Sequence, residues 1–446
     1  MFNQVLQNKS RLIKSPNEVQ FLLHQSHQFL LPLLTVLDSK IDKRLVRTFH
    51  DVFLAILSFR NRSMGLVLSE LGGYVCGLKK AAAGTKRISN LLRSPKWSHK
   101  DVEAYTLGTA LSRLEKLRSE GKRVLMLWDD SVLEKAESWL SEGLCPVGSS
   151  KGSRLTKVKH GYYDKPKGRI SVPGFKWSAV VISALGEKCS TVMMRWWTNR
   201  GKHKDCADNV FYGMLKKMYE TFGNLFVHVL DRGYASIAVL ERMWRFNQHF
   251  IIRWKQNHLL LMKNGKIKKT HLAARSYKPM DYRIVWDKER KKLKKISIAF
   301  APVFHPEYPD NQLFLVIVRD KYHSNAPMYI ISNVHLDSVG MAWEIFFDYI
   351  HRWHIEQTFR FMKTELAIES IRVWFFESRL KLLAILSLIY DFIVRLAKNW
   401  KVWAHRLTNI WAHRTGKRNK PKLVPLYRFR IALSLVLFCF VAQNSG

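Results

Sequence analysis

Tyr349–Glu369 reads YIHRWHIEQTFRFMKTELAIE. Its apolar and polar positions fit a helix running from about Met341 to Thr364. At 3.6 residues per turn, Tyr349, Arg352, Glu356, Arg360 and Lys363 then fall on one side of that helix. A single carboxylate among a phenol and three cations is unlike a stripe that faces a core. One reading is a solvated face with i,i+4 ion pairs such as Arg352 with Glu356. The other is a carboxylate that binds metal while the surrounding cations hold nucleic-acid phosphates. His351 and His354 flank Glu356 without HExxH spacing, and His351 falls off that side of the wheel, so both read as structural.

Upstream, VLMLWDD (124–130) is a short apolar run ending in two carboxylates, the pattern of a buried central strand. Trp177–Ala184 and Thr191–Trp197, separated by LGEK, read as a hairpin. A helix over Asp205–Phe222 leads to a strand over Leu225–Leu230 that ends at Asp231. A helix over Ile237–Phe246 follows, and then the strand HFIIRW, ending at Trp254. Residues 255–335 differ. The basic runs KNGKIKK and KERKKLKK alternate with strand-like Tyr282–Trp286, Ile296–Phe300, Leu313–Val318 and Met328–Ser332, which predicts an inserted, mostly antiparallel β region. The order is three strands, helix, strand, helix, strand, insertion, helix. Carboxylates stand at the end of the first strand, at the end of the fourth, and in the late helix. Acids so placed suit a two-metal phosphoryl-transfer site, with ions about 4 Å apart. Strand-end aspartates are also common turn formers, and spacing alone leaves both readings open.

The flanks read as helical. Asp51–Leu71 and Asp101–Glu120 carry apolar residues at spacings of three and four. Between them, Lys79–Trp97 (KKAAAGTKRISNLLRSPKW) is either a DNA-contacting helix or a solvated basic face. Ser141–Arg169 is rich in glycine and lysine and reads as a long loop suited to a phosphate backbone. Ser378–Lys398 and Leu426–Val441 are apolar helices joined by HRTGKRNKPK. The expected division is 1–120, 121–254, 255–335, 336–375 and 376–446.

The chain of 446 residues is 47% hydrophobic and holds 74 Lys and Arg against 35 Asp and Glu, a formal charge of +39. Such a surplus repels itself unless a polyanion relieves it, which points to nucleic acid. A ribosomal or other RNA-binding protein fits the same charge. A membrane-surface helix does not, because the charge spans the whole chain. Cys76, Cys145, Cys189, Cys206 and Cys439 form no CxxC pair or Cys/His cluster, so neither a disulfide framework nor a structural zinc is expected. The first residues, MFNQVLQNKSRLIK, lack a signal-peptide apolar core. The apolar tail Ile431–Ala442 is too short to span a bilayer and is expected to pack as a buried helix. No GxxxxGK[ST] loop is present, which argues against an NTP-driven helper.

The spacing Y-(2)-R-(3)-E-(6)-K, met by Tyr349, Arg352, Glu356 and Lys363, closely resembles the signature of bacterial insertion-sequence transposases of the fourth family. LDRGYAS around Asp231 resembles that family's second-aspartate motif, and WDDS (128–131) its first. The resemblance spans roughly residues 120–370 in motif order. It implies an α/β fold: an RNase H-like mixed-sheet catalytic core with a β-rich insertion, flanked by helical N- and C-terminal regions. Asp129, Asp231 and Glu356 would be the catalytic metal ligands for two Mg²⁺ or Mn²⁺ ions, with Ser131 in the hydroxyl position and Asp130 as the fallback for the first aspartate. Tyr349, Arg352 and Lys363 would contact phosphates near the scissile bond, with Arg232 and Arg360 as further phosphate contacts. The implied activity is cut-and-paste DNA transposition: nicking at the element end, then attack by the freed 3′-hydroxyl. The implied partners are double-stranded DNA (terminal inverted repeats and target) and other copies of the chain, as a homodimer or higher assembly, in the bacterial cytoplasm and off the membrane. Some members pass through a hairpin, stacking a flipped base on an aromatic in the insertion. Where a Trp would stand upstream of the signature helix, this chain has Met328 and Tyr329; Trp254 and Trp286 are the substitutes, and both read as core. Two rivals share the motifs: a transposase-derived DNA-binding protein without catalysis, and a stand-alone nuclease.

Overall fold

A computed structural model of the chain describes residues 16–59, 66–135, 140–149, 171–287, 292–320, 327–412 and 424–443. Five helices come first: α1 (Pro16–Asp38), α2 (Lys43–Ser58), α3 (Leu68–Cys76), α4 (Ala81–Arg93) and α5 (His99–Ser119). Then follow β1 (Leu125–Glu134), β2 (Cys145–Gly148), β3 (Ser171–Ser183), β4 (Ser190–Trp197), α6 (Ala207–Phe222), β5 (Val227–Leu230), α7 (Ile237–Arg245) and β6 (His249–Arg253). The inserted region holds β7 (Leu259–Met262), β8 (Ile267–Lys269), α8 (Thr270–Arg275), β9 (Asp281–Asp287), β10 (Lys292–His305), β11 (Tyr308–Asp320) and β12 (Met328–Ser332). The chain closes with α9 (Val339–His351), α10 (Trp353–Thr364), α11 (Phe376–Asn399), α12 (Lys401–Trp411) and α13 (Leu426–Gln443).

All twelve strands join one mixed sheet, in the order β2-β3-β1-β5-β6-β12-β11-β10-β7-β8, with β4 on β3 and β9 on β10. β1, β3 and β4 form an antiparallel meander. β1, β5 and β6 run parallel, with α6 and α7 making the crossovers. This is a mixed α/β sheet with a β-rich insertion and helical flanks, the architecture that the resemblance implies. The inserted strands continue the same sheet, because β12 pairs antiparallel with β6.

Alternation along the central strands sorts their side chains between two cores. Leu125 and Leu127 of β1, with Val227 and Val229 of β5, face a large cluster shared with α9, α10, α11, α13 and the first helices. Met126, Trp128 and Leu230 face the other cluster, with α6, α7 and the second half of α5. Both faces being covered is why these strands read as unbroken apolar runs. Below the strand ends, Trp128 Nε1 donates to His228 Nδ1 at 2.7 Å, and His228 Nε2 contacts Gln248 Oε1 at 3.0 Å. Burial lowers the His228 pKa to about 3, so the ring is neutral and its remaining N–H donates to Gln248. That chain ties β1, β5 and the start of β6 into register.

Two long helices expected from periodicity are each interrupted. The Asp51–Leu71 pattern divides between α2 and α3, with Phe59 extended and buried at the end of α2. The Met341–Thr364 pattern divides at Arg352. There the Arg352 amide bonds to Tyr349 O at 3.1 Å and the Ile355 amide to Arg352 O at 3.0 Å, the i,i+3 bonds of a tightened turn. Part of the basic Lys79–Trp97 stretch is structural. Arg87 pairs with Asp51 at 3.0 Å, Trp97 is buried, and Gly84 lets α4 lie against Gly72 of α3, where a Cβ would collide with the Gly72 carbonyl. The Ser141–Arg169 segment contributes β2, but its residues 150–169 lie outside the described residues. So do HRTGKRNKPK, the first four residues of KERKKLKK, and the N-terminal MFNQVLQNKSRLIK. α13 buries Ala432, Leu433, Val436 and Leu437, as expected of the apolar tail. Among the described residues no helix is long and apolar enough to cross a membrane.

Candidate active site

Leu127 of β1 lies beside Val229 of β5, and both point into the core under α9 and α10. Two residues further on come Asp129, which lies within β1 rather than at the expected strand end because the strand continues to Glu134, and Asp231, directly after β5. Because side chains repeat every two residues, both acids point to that same side, on adjacent parallel strands about 4.8 Å apart. Asp130 has the opposite parity, and its carboxylate bonds to the Ser178 and Tyr234 side chains on the other face. The alternation thus turns Asp129, rather than Asp130, toward the signature helices.

α9 and α10 bring the remaining groups over these two acids. α9 crosses β10, β11, β6 and β5, and α10 lies against β1. α10 is fixed by Phe359, whose ring meets Trp177 edge-on with centroids 4.4 Å apart, and by Thr358, whose hydroxyl lies 2.9 Å from that of Tyr390. An aromatic pair of this kind adds about 1 kcal/mol beyond its area burial. His351 Nε2 lies 2.9 Å from Ser183 Oγ, and His354 Nδ1 donates to His351 O at 2.8 Å. Neither histidine joins the acids, in keeping with their structural reading.

The turn at Arg352 aims its guanidinium between the carboxylates. Nη1 donates to Asp129 Oδ2 at 2.9 Å and Nη2 to Glu356 Oε1 at 2.7 Å, while Asp231 Oδ1 lies 4.0 Å from Nη2. Tyr349 Oη donates to Asp231 Oδ1 at 3.2 Å. Arg352 Nε is buried without a partner. Burial works against the Arg352 charge, but Asp129, Tyr349, Asp231 and Glu356 around it hold its pKa above the ordinary value. Burial raises Asp129 to about 6; Arg352 pulls the other way, and Asp231 and Glu356 add to the rise. Tyr349 is raised too, first by burial and then by the Asp231 charge.

The other expected contacts separate from this cluster. Lys363 pairs with Glu369 at 3.4 Å. Arg360 is exposed and lines a cavity of about 600 Å³ with His354, Gln357, Phe361 and Tyr390, which none of the three acids lines. Arg232 is exposed in the short 3-10 turn directly after Asp231. The expected helix face therefore divides: Tyr349 and Arg352 meet Asp231 and Asp129 and Arg352 also holds Glu356, whereas Arg360 and Lys363 stand apart.

Arg253 was not singled out by sequence reasoning. It ends β6, next to β5, and its side chain hydrogen-bonds to Tyr349. The phenol thus links Arg253 to Asp231. The available signal was its place at the end of the strand beside the one that ends in Asp231. Of the aromatics considered for stacking, Trp254 is buried, as expected, but Trp286 is 57% exposed and is not a core residue. It lies on an edge strand, where alternation turns it away from the sheet's packed face.

No protein-family model matches the chain, and no curated protein matches it in sequence. Among solved structures the chain is similar to a piggyBac transposase synaptic complex with hairpin DNA. The TM-score is 0.41 and the identity 11%, over 91% of this chain and 73% of that one. A likeness at that level assigns no role to any residue.

Proposed function

We propose that the chain is a DNA transposase that cuts at the ends of its element and joins the freed 3′ ends to target DNA, with Asp129, Asp231 and Glu356 as the acids of the reaction. One observation carries the reading: three carboxylates, one from within β1, one from the end of the adjacent β5 and one from α10, gather around the single guanidinium of Arg352.

The donor set suits Mg²⁺ or Mn²⁺, since all three groups offer hard oxygen and their summed charge already attracts one cation. As arranged, among the described residues no three acids, imidazoles or thiols lie close enough to hold an ion, and Arg352 is the group between them. Asp129, Asp231 and Glu356 would hold the metal. When bound, it would activate a water or 3′-hydroxyl and stabilise the departing oxygen. The chain's own groups do the rest. Tyr349 fixes the Asp231 carboxylate, and Arg253 fixes Tyr349. Arg352 neutralises the acids and, freed from them, would take a phosphate; Arg232, exposed directly after Asp231, supplies further positive charge. The formal charge of +39 supports DNA as the partner, and joining two ends calls for two copies of the chain.

The test is a supercoiled plasmid carrying the element with its flanking ends, incubated with the protein and Mg²⁺. Excision with 3′-end joining is expected. Cleavage without joining would make the protein a nuclease, and binding without cleavage would remove the catalytic reading.

A further inference from the structure

The cavity of about 600 Å³ beside α10 lies on the side of that helix turned away from the acids. His354, Thr358, Phe361 and Glu365 line it at spacings of four, three and four, a face that 3.6 residues per turn puts opposite Glu356. Tyr390 of α11, Leu426 and Tyr427 of α13, and Lys188 and Cys189 from the β3–β4 turn supply the other walls. Cys189, Phe361 and Tyr390 are buried, so much of the lining is apolar. Arg360 belongs to the same lining and is exposed.

Lys188 is a cation without a counter-ion. Its ammonium donates to Val424 O at 3.1 Å, and among the described residues that neutral carbonyl is its one hydrogen-bond partner. Burial lowers its pKa to about 8 with no opposing pull from a carboxylate. Its chain neighbour Glu187 is already held by Lys122 and Lys398, each at 2.7 Å. At neutral pH the group is still mostly protonated, with three donors and a single acceptor. An ammonium taken out of water in this way costs stability that a bound anion restores.

We propose that this cavity binds a small amphipathic anion, an aromatic or medium-chain carboxylate, with its head on Lys188, Arg360 as the second cation and its apolar body against Phe361, Leu426 and Tyr427. The site goes beyond the DNA-processing reading and stands whether or not that reading does. Small-molecule sites are concave, roughly 300–1,000 Å³ in volume, and mostly apolar with a few polar groups that fix orientation. This cavity has that size and that make-up. A DNA duplex is a rod far wider than the cavity. It can reach an exposed cation such as Arg360, but not an ammonium held against Val424 O inside the wall. Since α10 carries Glu356 on its other side, an occupant would tie the helix of that acid to α13.

The experiment titrates the full-length protein with anilinonaphthalene sulfonate, whose rings and sulfonate match that pattern, and reads binding by fluorescence. Saturable binding is expected. Dodecanoate should displace the probe, and dodecanol, the same chain without the charge, should not. K188M keeps an apolar stem, removes the ammonium and is expected to weaken probe binding roughly ten-fold. R360Q, at an exposed position, is expected to weaken it about three-fold. K216Q, which removes an exposed lysine of α6, leaves affinity unchanged. Circular dichroism melting checks that the variants fold as the parent does, and the comparison of dodecanoate with dodecanol uses the parent alone. No saturable binding, equal displacement by dodecanol, or parent affinity in both R360Q and a folded K188M overturns the site. Displacement by duplex DNA but not by dodecanoate would make the cavity a phosphate contact and overturns it too.

Discussion

Tyr349 and Asp231 are joined by a hydrogen bond, the phenol donating to Asp231 Oδ1 at 3.2 Å across the gap between α9 and the end of β5. Tyr349→Phe keeps the packing of the ring and removes that donor. Cleavage is expected to fall roughly ten- to a hundred-fold as Asp231 loses its orientation, a second-contact effect of the size seen around metal ligands. Folding stability should change by only about 1 kcal/mol, the net worth of one hydrogen bond. Single-turnover cleavage and urea unfolding, run side by side, separate the two effects.

Arg352 is the cation that lets three carboxylates share one corner of the protein. Its side chain is 11% exposed and that of Asp129 17%, so neither charge is well served by solvent. Arg352→Ala leaves the acids facing one another and should destabilise the fold by about 3 kcal/mol in EDTA. A divalent cation can replace the lost charge. Mg²⁺ should therefore raise the melting temperature of the variant more than that of the parent, measured by differential scanning fluorimetry. Equal shifts in both proteins would mean that Arg352 and the metal do not compete for the same acids.

Asp129 loses its proton at about 6, well above an ordinary aspartate, because burial outweighs the pull of Arg352. An acid that must be ionised to hold a cation gives activity that rises as pH increases through that value. Cleavage under single-turnover conditions should climb between pH 5 and pH 7 and level off above. A profile flat from pH 5 upward would mean that Asp129 is already ionised, or that its charge is not needed.

Asp391, buried under β4, accepts the Thr191 amide at 2.7 Å, and burial pushes its pKa up to about 7. Its folded pKa lies above the ordinary 3.8. The stability it contributes is thus complete below about pH 3.8 and is lost as pH rises through about 7. Asp391→Asn keeps an acceptor for Thr191 and removes the titration. The variant should gain on the order of 2 kcal/mol relative to the parent at pH 8, with the gain shrinking toward pH 5. Urea unfolding at the two pH values measures the difference.

Much of the architecture was legible because its elements have unambiguous periods. The apolar runs at Leu125–Trp128 and Val227–Leu230 are buried on both faces, and each stops at its acid. The period of 3.6 also placed Tyr349, Arg352 and Glu356 on one side. It failed beyond them because the ladder tightens at Arg352, dividing the expected helix, and because Lys363 pairs with Glu369, six residues on and past the end of α10 at Thr364. Asp129 and Asp130 stayed alternatives in sequence since both follow the same apolar run, and that run does not show that β1 continues past them to Glu134. Only their parity against Leu127 separates them. Arg253 and Trp286 were hidden for a related reason. What each faces depends on which strand lies beside it, and a register is set by distant partners such as β12 and β10.

The central claim is that Asp129, Asp231 and Glu356 act as one unit on DNA. The most direct measurement is the single-turnover rate of DNA cleavage in Mg²⁺ for D129N, D231N and E356Q, alongside duplex affinity for each. The account predicts that each substitution lowers cleavage by roughly a thousand-fold or more while leaving affinity within about three-fold of the parent, since groups that act as a unit fail together. Cleavage near the parent rate in any one of the three would contradict it.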